Sequence, residues 1–371
     1  MKTPRGTAET TGFRSLACGL LLVGAACGGA STAPSPPVAA APPTPVALSP
    51  CTVAAPPLSG WTWNRANFPG HILSLAIDEQ DGRTWVASSE SPNQVWVTND
   101  AGASWRPVLE GLTDFGALQT SPTALYAPVA RASSGLNVSR DHGRSWFLTL
   151  RPSGDASYIE TVLSSRVRPG LLLAGAERLA PGNLRPSSIY RSLDDGATWT
   201  EAAFDDRLRY LSAPRFAEDG TGVILAASDF ATPGVYVRST DAGETWQSVG
   251  GPLQNVWSRD LRGDTVRHRI FAVGNGFVSV TEDGGRSWSR ALGGMTSPDG
   301  LVVDERSGGV FATQGRPARG LHYLPDGASS FRAVSLEGIE DLSALALDRC
   351  GSVLLAGTFG YVYSSPIPRN P

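Results

Sequence analysis

One eight-residue phrase recurs along this chain and constrains its fold more than any other feature. It places Ser or Thr first, Asp third, Gly fifth and Trp eighth, as in TNDAGASW (98–105), SRDHGRSW (139–146), SLDDGATW (192–199), STDAGETW (239–246) and TEDGGRSW (281–288). A sixth copy, LPDGASSF (324–331), has lost the first hydroxyl and the Trp. The six aspartates are 41, 53, 47, 42 and 43 residues apart. This period is typical of folds that repeat one small sheet.

Short apolar runs that end in alanine give the same period independently. There are seven of them, closing at Ala87, Ala127, Ala174, Ala226, Ala272, Ala312 and Ala356. Alternating apolar segments rich in β-branched and aromatic residues flank each run, with Gly, Asp, Ser or Pro between them, and no segment has a helical period. The sequence therefore predicts an all-β chain of four-stranded antiparallel blades arranged as a seven-bladed β-propeller.

The two ends of the repeat region complete each other. The seventh unit supplies three strands, LSALALD, VLLAG and YVYSS, before the chain ends at Pro371. The segment WTWNRANF (61–68) precedes the first unit and carries Trp63 where a repeat would have its Trp. We expect the propeller to span 60–367, with its last blade closed by the N-terminal strand, because closure removes exposed sheet edges.

The N-terminus has the layout of an export signal. Three cations precede an apolar run over 16–26 that is too short to span a bilayer. The run ends LLVGAACGG, which resembles the lipobox of bacterial lipoproteins, with Gly24 where that motif prefers Leu, Val or Ile. We expect a signal peptide over 1–26, then a lipidated Cys27 and a Pro/Ala-rich tether over 27–59. The protein would be lipid-anchored in the bacterial cell envelope, in the periplasm or at the outer membrane; plain secretion is the alternative.

Composition narrows the function classes. The formal net charge is −3 and the pI about 5.9, so the chain lacks the basic excess that nucleic-acid binding needs. The four histidines are scattered without ligand spacing, so we expect no metal and no cofactor. The lipid anchor would be the chain's contact with the membrane, and we expect a monomer.

The recurring phrase resembles the Asp-box, or BNR repeat. Proteins with this box include sialidases, xyloglucanases, sortilin-type receptors and the photosystem II assembly and stability factors. The resemblance implies that the box is structural and lies away from the active or binding face. It assigns that structural role to Asp100, Trp105, Asp141, Trp146, Asp194, Trp199, Asp241, Trp246, Asp283 and Trp288.

Function is expected on the other face, which carries the second-to-third turns and the links between blades. The interval from Ala174 to Asp194 is 20 positions, against 11 to 15 in the units that share it, because of the loop ERLAPGNLRPSS (177–188). Such an insertion favours a binding side, although a neutral insertion is equally consistent. The candidate ligand face comprises Arg131, Arg178, Arg185, Asp205, Asp206, Arg207, Arg209, Tyr210, Arg316 and Arg319.

Two functions remain open. The resemblance to the photosystem factors implies a non-catalytic platform that holds a protein or glycan. The alternative is a glycoside hydrolase of sialidase-like or xyloglucanase-like type. The sialidase signature Phe/Tyr-Arg-Ile-Pro is missing, and Tyr210 near Arg207 and Arg209 is the one cluster with sialidase residue types. Xyloglucanases imply two tandem propellers, and we assign no catalytic residue.

The cysteines that remain after processing are Cys51 and Cys350. Export would place them where disulfides persist. Cys350 follows the first strand of the seventh unit, and Cys51 precedes the N-terminal strand expected to complete that unit. We therefore predict a disulfide between them at the ring closure.

Overall fold

The computed structural model of the chain describes residues 61–110, 114–115, 117–130, 135–152, 157–178, 187–202, 214–227, 235–249, 259–274, 276–289, 292–296, 298–315, 320–334, 336, 338–339, 341–348 and 353–367. Within these ranges all regular secondary structure is β-strand. The same ranges contain no helix with the length and apolarity needed to cross a membrane.

The described strands form six antiparallel sheets. The largest has the order β25-β26-β27-β1-β2-β3-β4, made of β1 (Asn64–Ile77), β2 (Trp85–Glu90), β3 (Gln94–Thr98), β4 (Arg106–Leu109), β25 (Ala344–Leu347), β26 (Val353–Gly357) and β27 (Phe359–Pro366). The second contains β5 (Asp114–Phe115), β6 (Gln119–Thr120), β7 (Leu125–Ala130), β8 (Gly135–Ser139) and β9 (Phe147–Leu150).

The other four sheets follow the chain in order. The third is β10 (Ser157–Ser164), β11 (Leu172–Arg178), β12 (Ser187–Ser192) and β13 (Thr200–Glu201). The fourth is β14 (Arg215–Glu218), β15 (Ile224–Ala227), β16 (Tyr236–Ser239) and β17 (Gln247–Ser248). The fifth is β18 (Asp260–Asp264), β19 (Arg269–Gly274) and β20 (Phe277–Thr281), and the sixth is β21 (Pro298–Asp304), β22 (Gly309–Gln314), β23 (Gly320–Leu324) and β24 (Arg332–Val334).

Strand β1 belongs to two four-stranded units at once. Its first half pairs with β27, with Arg65 opposite Tyr363, and its second half pairs with β2, with Leu75 opposite Ala87. The pairing register with β27 shifts between Asn67 and His71, where the strand passes from one unit to the next. The sequence pattern predicts two separate strands here, whereas the structure has one continuous strand that joins both ends of the repeat region.

The core lies between neighbouring units. The seven alanines that mark the period all lie on second strands and are all fully buried. One cluster joins the second and third sheets through Tyr126, Leu136 and Leu172, and equivalent clusters join the other neighbours. Each such Leu contributes roughly 1.5–3 kcal/mol by leaving water, so the interfaces between units hold the fold together.

The outer strands are shorter than the sequence suggests. Strands β13 and β17 have two residues each, and a single bridge between Val280 and Ser289 stands in for the fourth strand of the fifth sheet. In the altered sixth copy, Phe331 takes the place of the Trp and is buried. An aromatic ring therefore still packs at that position.

Candidate functional site

A channel runs along the first strands of the units. It is a cavity of about 710 Å³ lined by residues from β1, β10, β14, β18, β21 and β25 and by 117–120. Around the channel, side-chain oxygens of one unit accept hydrogen bonds from backbone N–H groups of the next unit. Leu118 N donates to Ser74 Oγ at 3.0 Å, and Leu301 N donates to Asp260 Oδ2 at 3.1 Å. The channel wall is therefore tied together between units.

Four side chains meet at the end of the channel that lies beside the repeat-phrase turns. We call this group the floor cluster: Arg166, Glu79, Glu218 and Glu305. Arg166 Nη2 is 2.8 Å from Glu79 Oε1, and its Nη1 is 2.9 Å from Glu305 Oε2. The backbone N–H of Arg166 donates to Glu218, whose other oxygen accepts from Ser165 Oγ at 2.7 Å. These contacts connect four units across that end of the channel.

The floor cluster is electrostatically unbalanced, with three carboxylates around one guanidinium. Burial disfavours the charged form of Arg166, but Glu79, Glu305 and Glu218 outweigh it and raise the pKa of Arg166. Burial raises the pKa of Glu218, against the hydrogen bonds from Arg166 and Ser165. The cluster thus favours a retained Arg charge and disfavours the charge on Glu218.

The rest of the channel lining mixes both signs. Arg259 and Asp299 form an ion pair between the fifth and sixth sheets. Arg262 Nε donates to Leu301 O at 3.0 Å and lies 3.1 Å from Asp260. Among the described lining residues, carboxylates outnumber guanidinium groups by six to four. The carboxylates belong to Glu160, Glu218, Asp260, Asp299, Glu305 and Asp348, and the guanidinium groups to Arg166, Arg215, Arg259 and Arg262.

The repeat phrase builds the same turn five times. In the first copy, Asp100 accepts from Thr98 Oγ1 at 2.6 Å, from Ser104 N at 2.9 Å and from Ser104 Oγ at 2.6 Å. The backbone N–H of Gly102 donates to Thr98 Oγ1 at 3.0 Å. The other four copies repeat this network at Asp141, Asp194, Asp241 and Asp283.

The hydrogen bonds stabilise the ionised aspartates. The Ser104 and Thr98 hydroxyls and the Ser104 N–H lower the pKa of Asp100 to about 2. For Asp141, Asp241 and Asp283, desolvation opposes the shift, but the equivalent hydrogen bonds prevail and the pKa is again about 2. The recurring Asp and Ser/Thr side chains of the phrase therefore form their hydrogen bonds within their own turn.

The variable position after the aspartate makes contacts that the sequence did not predict. His142 Nδ1 lies 2.8 Å from Asp78 and 3.9 Å from Asp81, both in the preceding unit. Asp195 likewise pairs with Arg140 of the preceding unit. Asp78, Asp81 and His142 have the atom types and spacing of metal ligands, but Asp78 and Asp81 also accept backbone hydrogen bonds. These contacts could have been predicted only from knowing which residues of neighbouring units lie side by side.

The altered sixth copy uses its aspartate differently. Leu324 stands where the other copies have a hydroxyl, and Asp326 pairs with Arg267 Nε at 3.0 Å and Arg269 Nη1 at 2.7 Å. Both arginines belong to the fifth unit. The intra-turn network is thus replaced by ion pairs between units.

The predicted ligand face falls largely outside the described residues. This holds for Arg131, Arg185, Asp205, Asp206, Arg207, Arg209, Tyr210, Arg316 and Arg319, and for Cys27, Cys51 and Cys350. Arg178 ends β11, but its side chain is not among those described. Glu177 pairs with Ser187, so part of the predicted loop 177–188 is strand.

Comparison with solved structures identifies the architecture. YCF48 bound to a D1 peptide matches over 85% of this chain and 99% of its own, with a TM-score of 0.59 and 15% identity. YCF48 from Cyanidioschyzon merolae matches over 82% and 98%, with a TM-score of 0.55 and 14% identity. An ancestral GH74 enzyme matches over 82% of this chain but 45% of its own, with a TM-score of 0.63 and 15% identity. This chain has the fold of the Asp-box-like β-propellers.

These identities show the fold of the propeller and leave its ligand open. Neither a scan against protein-family models nor a search of curated sequences finds a match to the chain. The turns described above are Asp-box turns by residue pattern and by hydrogen bonding. In the described residues, the floor cluster lies at the Asp-box end of the channel.

Proposed function

We propose that this chain is an exported propeller that binds a protein or glycan, with a protein segment favoured, against the face opposite its Asp-box turns, without catalysing a reaction. The observation that carries the proposal is the floor cluster. Arg166, of the third unit, reaches Glu79 of the first unit and Glu305 of the sixth across the Asp-box end of the channel, which leaves the other face as the side of access. The match to YCF48 bound to a D1 peptide supports a protein ligand.

We propose seven blades for the ring. The first half of β1 would serve as the fourth strand of the blade formed by β25, β26 and β27, and its second half as the first strand of the next blade. The ring would span 60–367. Within it the Asp-boxes would be structural, because their carboxylates are held by hydroxyl and backbone donors of the same turn.

The hydrolase alternative is less well supported. A glycosidase needs an acid and a second carboxylate that flank the scissile bond. Glu79 and Glu305 both lie at the channel floor, but both are bound to Arg166. Glu218 has the raised pKa of a general acid, yet both its oxygens accept hydrogen bonds. Each floor carboxylate is thus already engaged by the protein.

The proposal includes the N-terminal processing. Residues 1–26 would be removed as a signal peptide, Cys27 would be lipidated, and 27–59 would tether the propeller to the membrane of the cell envelope. Cys27→Ser should release the protein from membranes, and intact-mass analysis would show the acyl chains. An unmodified mature N-terminus away from Cys27 would contradict this.

The proposal also includes a disulfide between Cys51 and Cys350 at the ring closure. Non-reducing peptide mapping would show Cys51 joined to Cys350, whereas two separately alkylated thiols would exclude the disulfide.

The ligand face is tested by charge removal. The variant with Arg178, Arg185, Arg207 and Arg209 replaced by Ala should lose recovery of its partner from membranes, together with the salt dependence of that recovery. Arg144→Ala with Arg286→Ala is the matched control, because both side chains are exposed on Asp-box turns. Full recovery by the folded fourfold variant would place the site elsewhere.

A further inference from the structure

Phe359 is the most exposed large hydrophobic side chain in the described part of the chain, at 71%. It stands at the tip of the hairpin between β26 and β27, where Thr358 N donates to Tyr361 O at 3.0 Å. Gly360 supplies the positive φ of that turn, at 83°. The turn itself does not require an aromatic ring, because polar residues are favoured at such a tip. The exposed ring also adds no stability through burial, because it remains in water.

Neighbouring strands hold the ring of Phe359 in place. Its centroid lies 6.0 Å from that of His71, with an interplanar angle of 30°. His71 Nδ1 lies 3.4 Å from Glu90 Oε2, and the side chain of Glu90 is 61% exposed. His71 is paired in register with both Phe359 and Glu90, so β27, β1 and β2 present the three side chains as one row. Backbone pairing therefore preorganises the row.

The row continues to the mouth of the channel. Leu73 lies two residues beyond His71, is 38% exposed and lines the channel. We call Phe359, His71, Glu90 and Leu73 the seam patch. It lies at the strand ends opposite the Asp-box turns, on the face of access that the floor cluster leaves open. The exposed Phe147 lies instead on the outer strand β9.

We infer that the seam patch anchors an extended peptide ligand by a large apolar side chain, with a basic residue of the ligand beside Glu90. This inference rests on the proposed function and names the chemistry of its ligand. Exposed, well-supported aromatic side chains are the usual centres of binding energy at protein interfaces. The exposed carboxylate of Glu90, which lies on the side of His71 away from the Phe359 ring, selects a basic residue near the apolar anchor by charge complementarity.

The test selects phage-displayed random dodecapeptides on the immobilised chain. Selection on the wild type should enrich peptides that place a large apolar residue beside Arg or Lys. Phe359→Ser should weaken binding of the enriched peptides about tenfold or more. Glu90→Lys should shift the preference from basic to acidic neighbours. Phe147→Ser, which removes another exposed ring (63% against 71%) on an outer strand, should leave the selected peptides and their affinities unchanged.

The outcomes separate this inference from the proposed function. Peptides that bind the wild type and Phe359→Ser equally would overturn the seam patch while leaving peptide binding in place. Enriched peptides without the apolar and basic pair, or a preference unaffected by Glu90→Lys, would also overturn it. The absence of any enrichment on the wild type would count against a peptide ligand altogether, and with it the favoured protein-segment form of the proposed function.

Discussion

At the scale of single residues, the Asp-box turns couple stability to pH. The ionised form of each box aspartate is held by two hydroxyls and a backbone N–H, so the folded pKa of about 2 at Asp241 lies below its ordinary value of 3.8. A depressed carboxyl pKa contributes stability that is complete above the unfolded pKa and lost as pH falls through the folded pKa. The boxes therefore stabilise the fold above about pH 4 and cease to do so near pH 2.

Asp241→Asn should reduce the loss of thermal stability between pH 4 and pH 2, because one of the groups responsible can no longer titrate. Thermal unfolding followed by circular dichroism across this range measures the effect. Glu282→Gln is the control, since Glu282 is the exposed second residue of another box, whose hydrogen bonds are made to Asp283 instead. Equal slopes for Asp241→Asn and the wild type would show that the box hydrogen bonds do not favour the ionised form.

The repeated phrase predicted a structural role for the box but not the contacts made by its variable positions. A phrase repeated five times identifies the residues that bond within one turn. The partners of His142 and Asp195 lie 64 and 55 positions away along the chain, in the preceding unit. No local pattern carries that pairing. The floor cluster was missed for the same reason, because Arg166 and Glu305 are 139 positions apart.

At the scale of elements, the alternation of apolar and polar residues predicted where the strands lie but not how many residues of each strand pair with its neighbour. Alternation reports which face a residue occupies, whereas strand length depends on the neighbouring strand. The outer strands are consequently short, and β1 is continuous where the pattern suggested two strands. The box glycines lie where the turn of one unit meets the strands of the unit before it. A Cβ on Gly243, at φ 79°, would stand 2.6 Å from Leu173 Cδ2.

Gly243→Ala should lower the free energy of unfolding by about 2–4 kcal/mol, combining the strain of positive φ with overpacking against Leu173. Gly222→Ala is the matched control. Gly222 also has positive φ, at 95°, but a Cβ there meets nothing within 4 Å. Its loss should be limited to about 1–2 kcal/mol of backbone strain. Urea denaturation measures both, and equal losses would show that Gly243 does not pack against the preceding unit.

At the scale of the whole molecule, the floor cluster braces the ring. Arg166 is 28% exposed and joins its own unit, the third, to the first and sixth units across the channel. Without it, three carboxylates would face one another. Glu218 already has a raised pKa, chiefly from burial, so its ionisation costs stability as pH rises from about 4.5 through the folded pKa. The contribution of Glu218 to stability should therefore fall as pH rises above about 4.5, and the ionised Glu218 should then depend more on the charge of Arg166.

Arg166→Gln should lower the free energy of unfolding at pH 7.5 by about 2–4 kcal/mol. This loss is somewhat smaller than is usual when one partner of a fully buried ion pair is removed, because Arg166 is partly exposed. The loss should be smaller at pH 5, where Glu218 is more readily protonated. Adding Glu218→Gln should restore part of the stability at pH 7.5. Arg168→Gln, an exposed neighbour, is the control. A double variant no more stable than Arg166→Gln alone would contradict the brace.

The central claim is that ligand meets the propeller on the face opposite its Asp-boxes. The most direct measurement is photo-crosslinking in the producing cell, with benzoylphenylalanine at Leu73 or Pro92 on that face and at Ala103 or Glu282 on the Asp-box turns. We expect a discrete adduct from Leu73 and Pro92 and none from Ala103 and Glu282. An adduct confined to the Asp-box positions would contradict it.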